Sequence, residues 1–212
     1  MALCRICGYD ADAAEKDGVK KTFADKLIQL RSRLTHTEFQ FSSRYNNISF
    51  SFTMADGVNG ARFKNIRYSH PNRWLFANIP LDNEQEDIAF LAACVLAGFS
   101  LNFQTVKNWL HSEMILLNLP VCLYSDKHWK YDLIGLLSFA DEEPYKGKDS
   151  KLLKVIRPVL WSWTKIVQPH SKRAWCSEGC AILLQECEDA FKYKPDTLTP
   201  DGLIQAVREM YK

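Results

Sequence analysis

Apolar and polar positions change period several times along this chain. Over residues 22–33, Phe23, Leu27 and Leu30 recur at helical spacing, which predicts a short amphipathic helix. From Leu34 to Phe41 the period drops to two, the signature of a strand. On such a strand His36 and Glu38 share one face, while Thr37, Phe39 and Phe41 take the other. Residues 48–53 alternate again. Asp56-Gly57 and Asn59-Gly60 then supply turn chemistry before a third alternating run, Ala61 to Ile66. Arg73 to Pro80 is a further strand candidate, so residues 34–80 are expected to form an antiparallel meander.

Helical signals follow. Asp82 with Gln85 resembles a capping box, and Ile88, Leu91 and Val95 form one apolar face of a helix ending at Gly98. A second helix is predicted over about 103–117, with Val106, Leu110, Met114 and Leu117 inward. The run from Tyr131 to Leu137 is read as the start of a short helix. From Cys176 onward, Cys180, Leu183, Leu184, Cys187 and Phe191 make one stripe. Thr199-Pro200 supplies an N-cap and a first-turn proline for a last helix through Leu203, Val207 and Tyr211. Strands cluster early and helices late, an α+β pattern.

At 212 residues, with 47 % hydrophobic and 25 % charged positions, the chain has the composition of one globular domain and not of a disordered one. A net charge of +2 gives no whole-chain attraction to nucleic acid or membrane. No apolar stretch approaches the ~20 residues of a membrane span. The first residues also lack the apolar core of a secretory signal, so the chain is expected to be cytoplasmic at synthesis. Any route outward would then be phage lysis or a virion.

Seven cysteines without regular spacing do not make a disulfide framework in a chain of this size. Cys94, Cys122, Cys180 and Cys187 lie in apolar runs and read as core thiols. Cys4 and Cys7 have zinc-like spacing, but a possible completion, Cys176 with Cys180, draws one cysteine from that core stripe, so no metal is expected. Cys176 differs. It stands where a basic segment, Lys172-Arg173, meets the start of a helix, and both features favour a thiolate. Among the five histidines, His36 has Glu38 on its own strand face, a carboxylate suited to hold an imidazole tautomer. His70, His111, His128 and His170 lack such a partner and read as surface or loop residues.

Three motifs occur in a telling order: Thr35-His36-Thr37-Glu38, Tyr131-Asp132-Leu133-Ile134-Gly135 and Trp175-Cys176-Ser177-Glu178. In this the chain resembles the circularly permuted branch of the papain-like NlpC/p60 superfamily, which includes lecithin retinol acyltransferase-like enzymes. The resemblance covers about residues 22–205. It implies a permuted papain-like fold, an antiparallel sheet packed against helices, spanning 1–212 as a single domain. It also implies that Cys176 is a nucleophile, His36 a general base and later acid, and Glu38 the group orienting His36, with the Cys176 N–H in an oxyanion hole. Tyr131 and Asp132 match the family motif and are assigned either to the substrate cleft or to holding a turn. Trp175, beside the nucleophile, is assigned to substrate contact. No cofactor is implied.

Two stretches depart from the family pattern and read as insertions, near 99–130 and 146–173. The second carries eight basic residues against Asp149 alone, with Trp161 and Trp163 inside it. It is either a surface for an anionic partner or a solvated face with its tryptophans packed inward. The leading expectation is a cysteine peptidase or amidase acting on a peptide or peptidoglycan-like amide. An acyltransferase or lipid hydrolase would use the same triad. A non-catalytic binding or host-interaction module would instead use the basic 146–173 surface.

Overall fold

Period-two alternation gives one sheet two unlike faces. The computed structural model describes residues 2–29, 32–55, 57–99, 103–112, 121–131 and 173–212. Six strands pair antiparallel throughout: β1 (Ala2–Tyr9), β2 (His36–Gln40), β3 (Ser49–Thr53), β4 (Gly60–Lys64), β5 (Trp74–Leu81) and β6 (Cys122–Leu123). Their spatial order is β5-β1-β2-β3-β4-β6. The described helices are α1 (Ala11–Lys16), α2 (Phe23–Ile28), α3 (Asn83–Leu96), α4 (Phe103–Leu110), α5 (Cys176–Cys187) and α6 (Pro200–Met210). A separate two-stranded parallel pair joins β7 (Lys130–Tyr131) to β8 (Arg173–Ala174). The architecture is α+β. Among the described residues no helix is long and apolar enough to cross a membrane.

One cross-strand row on the apolar face runs Ile6, Phe39, Phe50, Phe63. Helix α5 lies over β2 and β3 on this face, α3 packs on α5, and α6 covers β1 and β5. Phe39, Phe41, Phe50, Phe52, Phe63 and Phe90 are all fully buried there, each contributing about 1.5–3 kcal/mol of transfer free energy. The opposite face is polar: Arg5 meets Gln40, Ser49 meets Tyr68, and Arg62 meets both Glu38 and Ser51.

Several sequence expectations hold. Asp82 builds a reciprocal capping box at α3, and Thr199 caps α6 with Pro200 in its first turn; α2 forms as well, closed by a Thr22–Asp25 capping box that the spacing had not pointed to. Other expectations change. The N-terminal residues form β1, a strand the sequence reading passed over. It sits between β2 and β5, so β5 pairs with β1 and the 34–80 stretch is no simple meander. Ile88, Leu91 and Val95 are the exposed face of α3, at 39 %, 44 % and 42 %. The buried face is Glu86, Ala89, Phe90, Ala93 and Cys94. The reason is Glu86. Its carboxylate turns inward to accept from the Ser42 N–H and hydroxyl, the Cys4 thiol and Arg44, which rotates the aliphatic stripe outward.

Smaller corrections follow the same logic. Phe23 is 75 % exposed, because α2 turns Ile28 inward and ends there. Cys122 is half-buried on an edge strand and not in the core. Tyr131 is in strand β7 and not at a helix start. His128 lies in a loop, as expected, but is buried there, with its ring nitrogens facing the carbonyls of Ser125 and Asn59. The 99–130 stretch is only partly helical, since it also supplies β6 to the sheet. Met114, Leu117, His170 and residues 146–172 lie outside the described residues.

The α3 reassignment makes a direct expectation. Phe90→Ala should cost about 3–5 kcal/mol, since its ring stacks on Tyr45 and meets Phe41 and Phe63 edge-on or tilted. Leu91→Lys should stay within about 0.5 kcal/mol of the parent. Urea unfolding of the two variants checks this; equal losses would contradict the observed helix rotation.

Candidate active site

Cys176 opens α5, and its neighbours fix that helix end in place. Glu178 accepts a hydrogen bond from the Trp175 N–H at 3.2 Å. Ser177 Oγ and Trp175 Nε1 both donate to the Leu198 carbonyl, at 2.6 and 3.3 Å. The Trp-Cys-Ser-Glu motif thus has a structural use for each residue around the thiol. Gly179 adds another constraint, because a Cβ there would come within 2.6 Å of Cε2 of the buried Phe52 ring.

His36 is the first residue of β2, and the chain leading into it is held from two sides. Asp201 of α6 accepts from the Ser32 hydroxyl at 2.8 Å and the Leu34 N–H at 3.0 Å. Asp10, which caps α1, also takes the Arg33 guanidinium at 2.7 Å. The alternation expected for β2 then places Glu38 beside His36, with Nε2···Oε1 at 2.8 Å. His36 and Cys176 each shift the other's pKa, so the two side chains lie within interaction range of one another. The structure therefore brings together Cys176, His36 and Glu38.

Charge in this cluster is set by neighbours acting against burial. Burial opposes the imidazolium of His36, but the Glu38 carboxylate and the Cys176 thiol outweigh it and raise the pKa to about 9. For Glu38, burial favours the neutral acid, and Arg62 and His36 overcome this to bring the pKa down to about 2. Burial likewise raises the Cys176 thiol, yet the His36 hydrogen bond and charge, helped by the Thr37 backbone, bring it below its ordinary value. The arrangement leans toward a thiolate–imidazolium pair. By linkage, His36 contributes stability in full below its ordinary 6.5, and this is lost as pH rises through about 9. Glu38 contributes above its ordinary 4.5, and this is lost as pH falls through about 2.

The other cysteines behave differently. Burial pushes Cys7, Cys94 and Cys187 up to about 12, and Cys4 and Cys180 up as well, which keeps these five thiols protonated and inert. Cys4 and Cys7 lie on opposite faces of β1, so they do not form half of a zinc site; Cys4 donates to Glu86 at 3.3 Å. Among the described residues no group of three or more His, Cys, Asp or Glu side chains could hold a metal ion.

A cavity of about 710 Å³ lies between the α1–α2 hairpin and the polar face of the sheet. His36 and Glu38 are on its wall, and the His36 side chain is 21 % exposed. Val19, Phe23, Met54 and Trp74 give it an apolar lining, and Lys20 and Lys64 are among its charged residues. Cys176 itself is fully buried. Trp175, expected to contact substrate, is buried with its indole N–H committed to Leu198. Tyr131 lies on β7 with Ala174 of β8 as its register partner, close in sequence to Cys176; Asp132 lies outside the described residues.

Sequence reasoning missed Arg62. It is 3 % exposed on β4, and its guanidinium reaches Glu38 Oε1 at 3.2 Å and Oε2 at 3.3 Å. It also donates to Ser51 Oγ at 3.2 Å, and that hydroxyl lies 3.3 Å from His36 Nε2. The one signal in the sequence was a basic residue between Ala61 and Phe63 in an alternating run. Its partner depends on register across three strands.

Comparison of the chain with protein-family models, with curated proteins and with solved structures gives no match in any of the three.

Two expectations follow from the site's construction. In His36→Ala the Cys176 thiol should lose its main stabiliser and its pKa should rise by about one unit or more. The thiolate absorbance difference between this variant and one also lacking Cys176 measures it, and an unmoved thiol would contradict the pairing. Gly179→Ala should cost about 2–3 kcal/mol in urea unfolding despite alanine's better helix propensity, because Phe52 cannot move aside.

Proposed function

We propose that this protein is a thiol hydrolase of the permuted papain-like NlpC/p60 type, cleaving a peptide or peptidoglycan-like amide through a thioester on Cys176. The observation that supports this reading most is the engagement of Cys176 with a His36 ring whose Nε2 is 2.8 Å from Glu38. A nucleophile, a base and an orienting carboxylate stand in the order acyl transfer requires.

In this reading the Cys176 thiolate attacks the amide carbonyl carbon, forming a C–S bond as the carbonyl π electrons move to oxygen. The oxyanion is met by first-turn N–H groups of α5, that of Cys176 foremost, where one such donor is worth about 3–4 kcal/mol. His36 gives its proton to the leaving nitrogen, the C–N bond breaks, and an amine departs. Water then attacks the thioester while His36 takes its proton. Collapse of the second tetrahedral species breaks the C–S bond, releases the carboxylic acid and leaves the Cys176 thiolate beside the protonated His36. Glu38 keeps the ring oriented and stabilises its charge throughout.

A second reading draws on the cavity. Its apolar lining suits the acyl part of an ester or lipid, on which the same thiol would perform hydrolysis or acyl transfer. The anionic-partner reading of the 146–173 segment rests on its charge alone.

Profiling the protein on peptidoglycan fragments, peptides and acyl esters tests these readings. Cleavage of an amide substrate, abolished in Cys176→Ala and reduced about 10²-fold or more in Glu38→Gln, is the expected result. Activity should fall as pH rises through about 9, where His36 loses the proton it owes the leaving group. Ester cleavage alone would favour the second reading. Turnover that survives Cys176→Ala would refute both.

A further inference from the structure

The sheet register places a third charged group in the cluster. Ser51 and Arg62 are register partners on β3 and β4, and Phe39 pairs with Phe50, which puts Glu38 beside Ser51 on the polar face. Glu38, Ser51 and Arg62 therefore form one row across three strands. Arg62 spans this row to bind both oxygens of Glu38. The two side chains are 3 % and 1 % exposed, so neither charge has bulk water to rely on.

We propose that Arg62 is a positioning residue: by gripping both oxygens of Glu38 from across the sheet, it keeps that carboxylate ionised and aimed, and through it keeps His36 competent as the base for Cys176. This rests on the hydrolase reading of the site and adds to it a residue outside the Cys176, His36 and Glu38 set. Arg62 Nη2 and His36 Nε2 converge on the same Oε1 atom, so Arg62 fixes the atom that fixes the ring. Without the guanidinium, a buried Glu38 would take up a proton and become a donor. It would then donate to Nε2, which places the imidazole's own proton on Nδ1. A neutral ring in that state offers no nitrogen to receive the thiol proton.

The other groups facing Glu38 cannot substitute. Cys7 of β1, Tyr68 before β5 and Cys180 of α5 are all pushed up by burial and remain neutral. Among the described residues, Arg62 and His36 are the cations acting on Glu38. Of the two, Arg62 lowers Glu38 most and stays charged at every working pH, whereas the imidazolium of His36 is itself lost as pH rises through about 9.

NMR titration of the His36 ring in the whole protein tests this without any substrate. Wild-type His36 should titrate near about 9. Arg62→Met should lower this by about two pH units or more, and Arg62→Lys should recover about half of the loss. A folded Arg62→Met protein whose His36 titrates as in wild type overturns the proposal. Should Arg62→Met fail to fold, the wild-type Glu38 carboxyl decides by carbon-13 titration. It should remain ionised down to about pH 3, and protonation above about pH 4 in the folded protein overturns the proposal. The site reading fails separately: a wild-type His36 near its ordinary value sinks both, whereas one near 9 that ignores Arg62 sinks only this one.

Discussion

A carboxylate shut inside a sheet face is tolerable only when donors surround it, and Glu38 organises this structure on those terms. Arg62 and His36 meet this carboxylate directly, and Cys176 joins the cluster through His36, which holds the thiol below its ordinary value. With Cys176 ionised the set is neutral as a whole, which limits the desolvation cost of assembling it. Each member stabilises the charged form of the next. Removing one would leave an uncompensated charge and not merely a missing hydrogen bond.

That cluster depends on the apolar face beneath it. Antiparallel register is a single variable for each strand pair, so aligning Phe39, Phe50 and Phe63 on the core side also aligns Glu38, Ser51 and Arg62 on the other. A slip of one residue would expose the phenylalanines and scatter the charges together. The packing energy of the core therefore holds the register of the polar row. Helix α5 is bound to the same register, because Gly179 lets it settle on Phe52 and so brings Cys176 to the end of β2.

The contrast among the cysteines has a local cause. Five thiols are raised by burial without a cation to offset it, while Cys176 has an imidazolium as its neighbour. Burial is common to all six, so exposure does not distinguish the reactive candidate; its partner does. The cavity beside His36 and Glu38 then supplies a place where an apolar group could lie next to this pair.

What the sequence determined by itself was what depends on near neighbours. Alternation placed His36 and Glu38 on one face, and their nitrogen and oxygen are 2.8 Å apart. Capping residues marked the starts of α3 and α6, since a cap bonds only two or three residues away. The early-strand, late-helix pattern gave the α+β class. The tertiary structure alone decided what depends on distant residues. Strand β1 carries no clear periodic signal because apolar residues fall on both its faces, the 57 % exposed Leu3 as well as the buried Cys4 and Ile6, so its place inside the sheet appeared only in the assembled fold. The rotation of α3 followed from a buried Glu86 whose partners are 42 to 82 residues away, against a sequence pattern that favoured its aliphatic stripe. Arg62 could be assigned only once register joined three strands, because the pairing of residues 24 apart is a property of the fold and not of either segment.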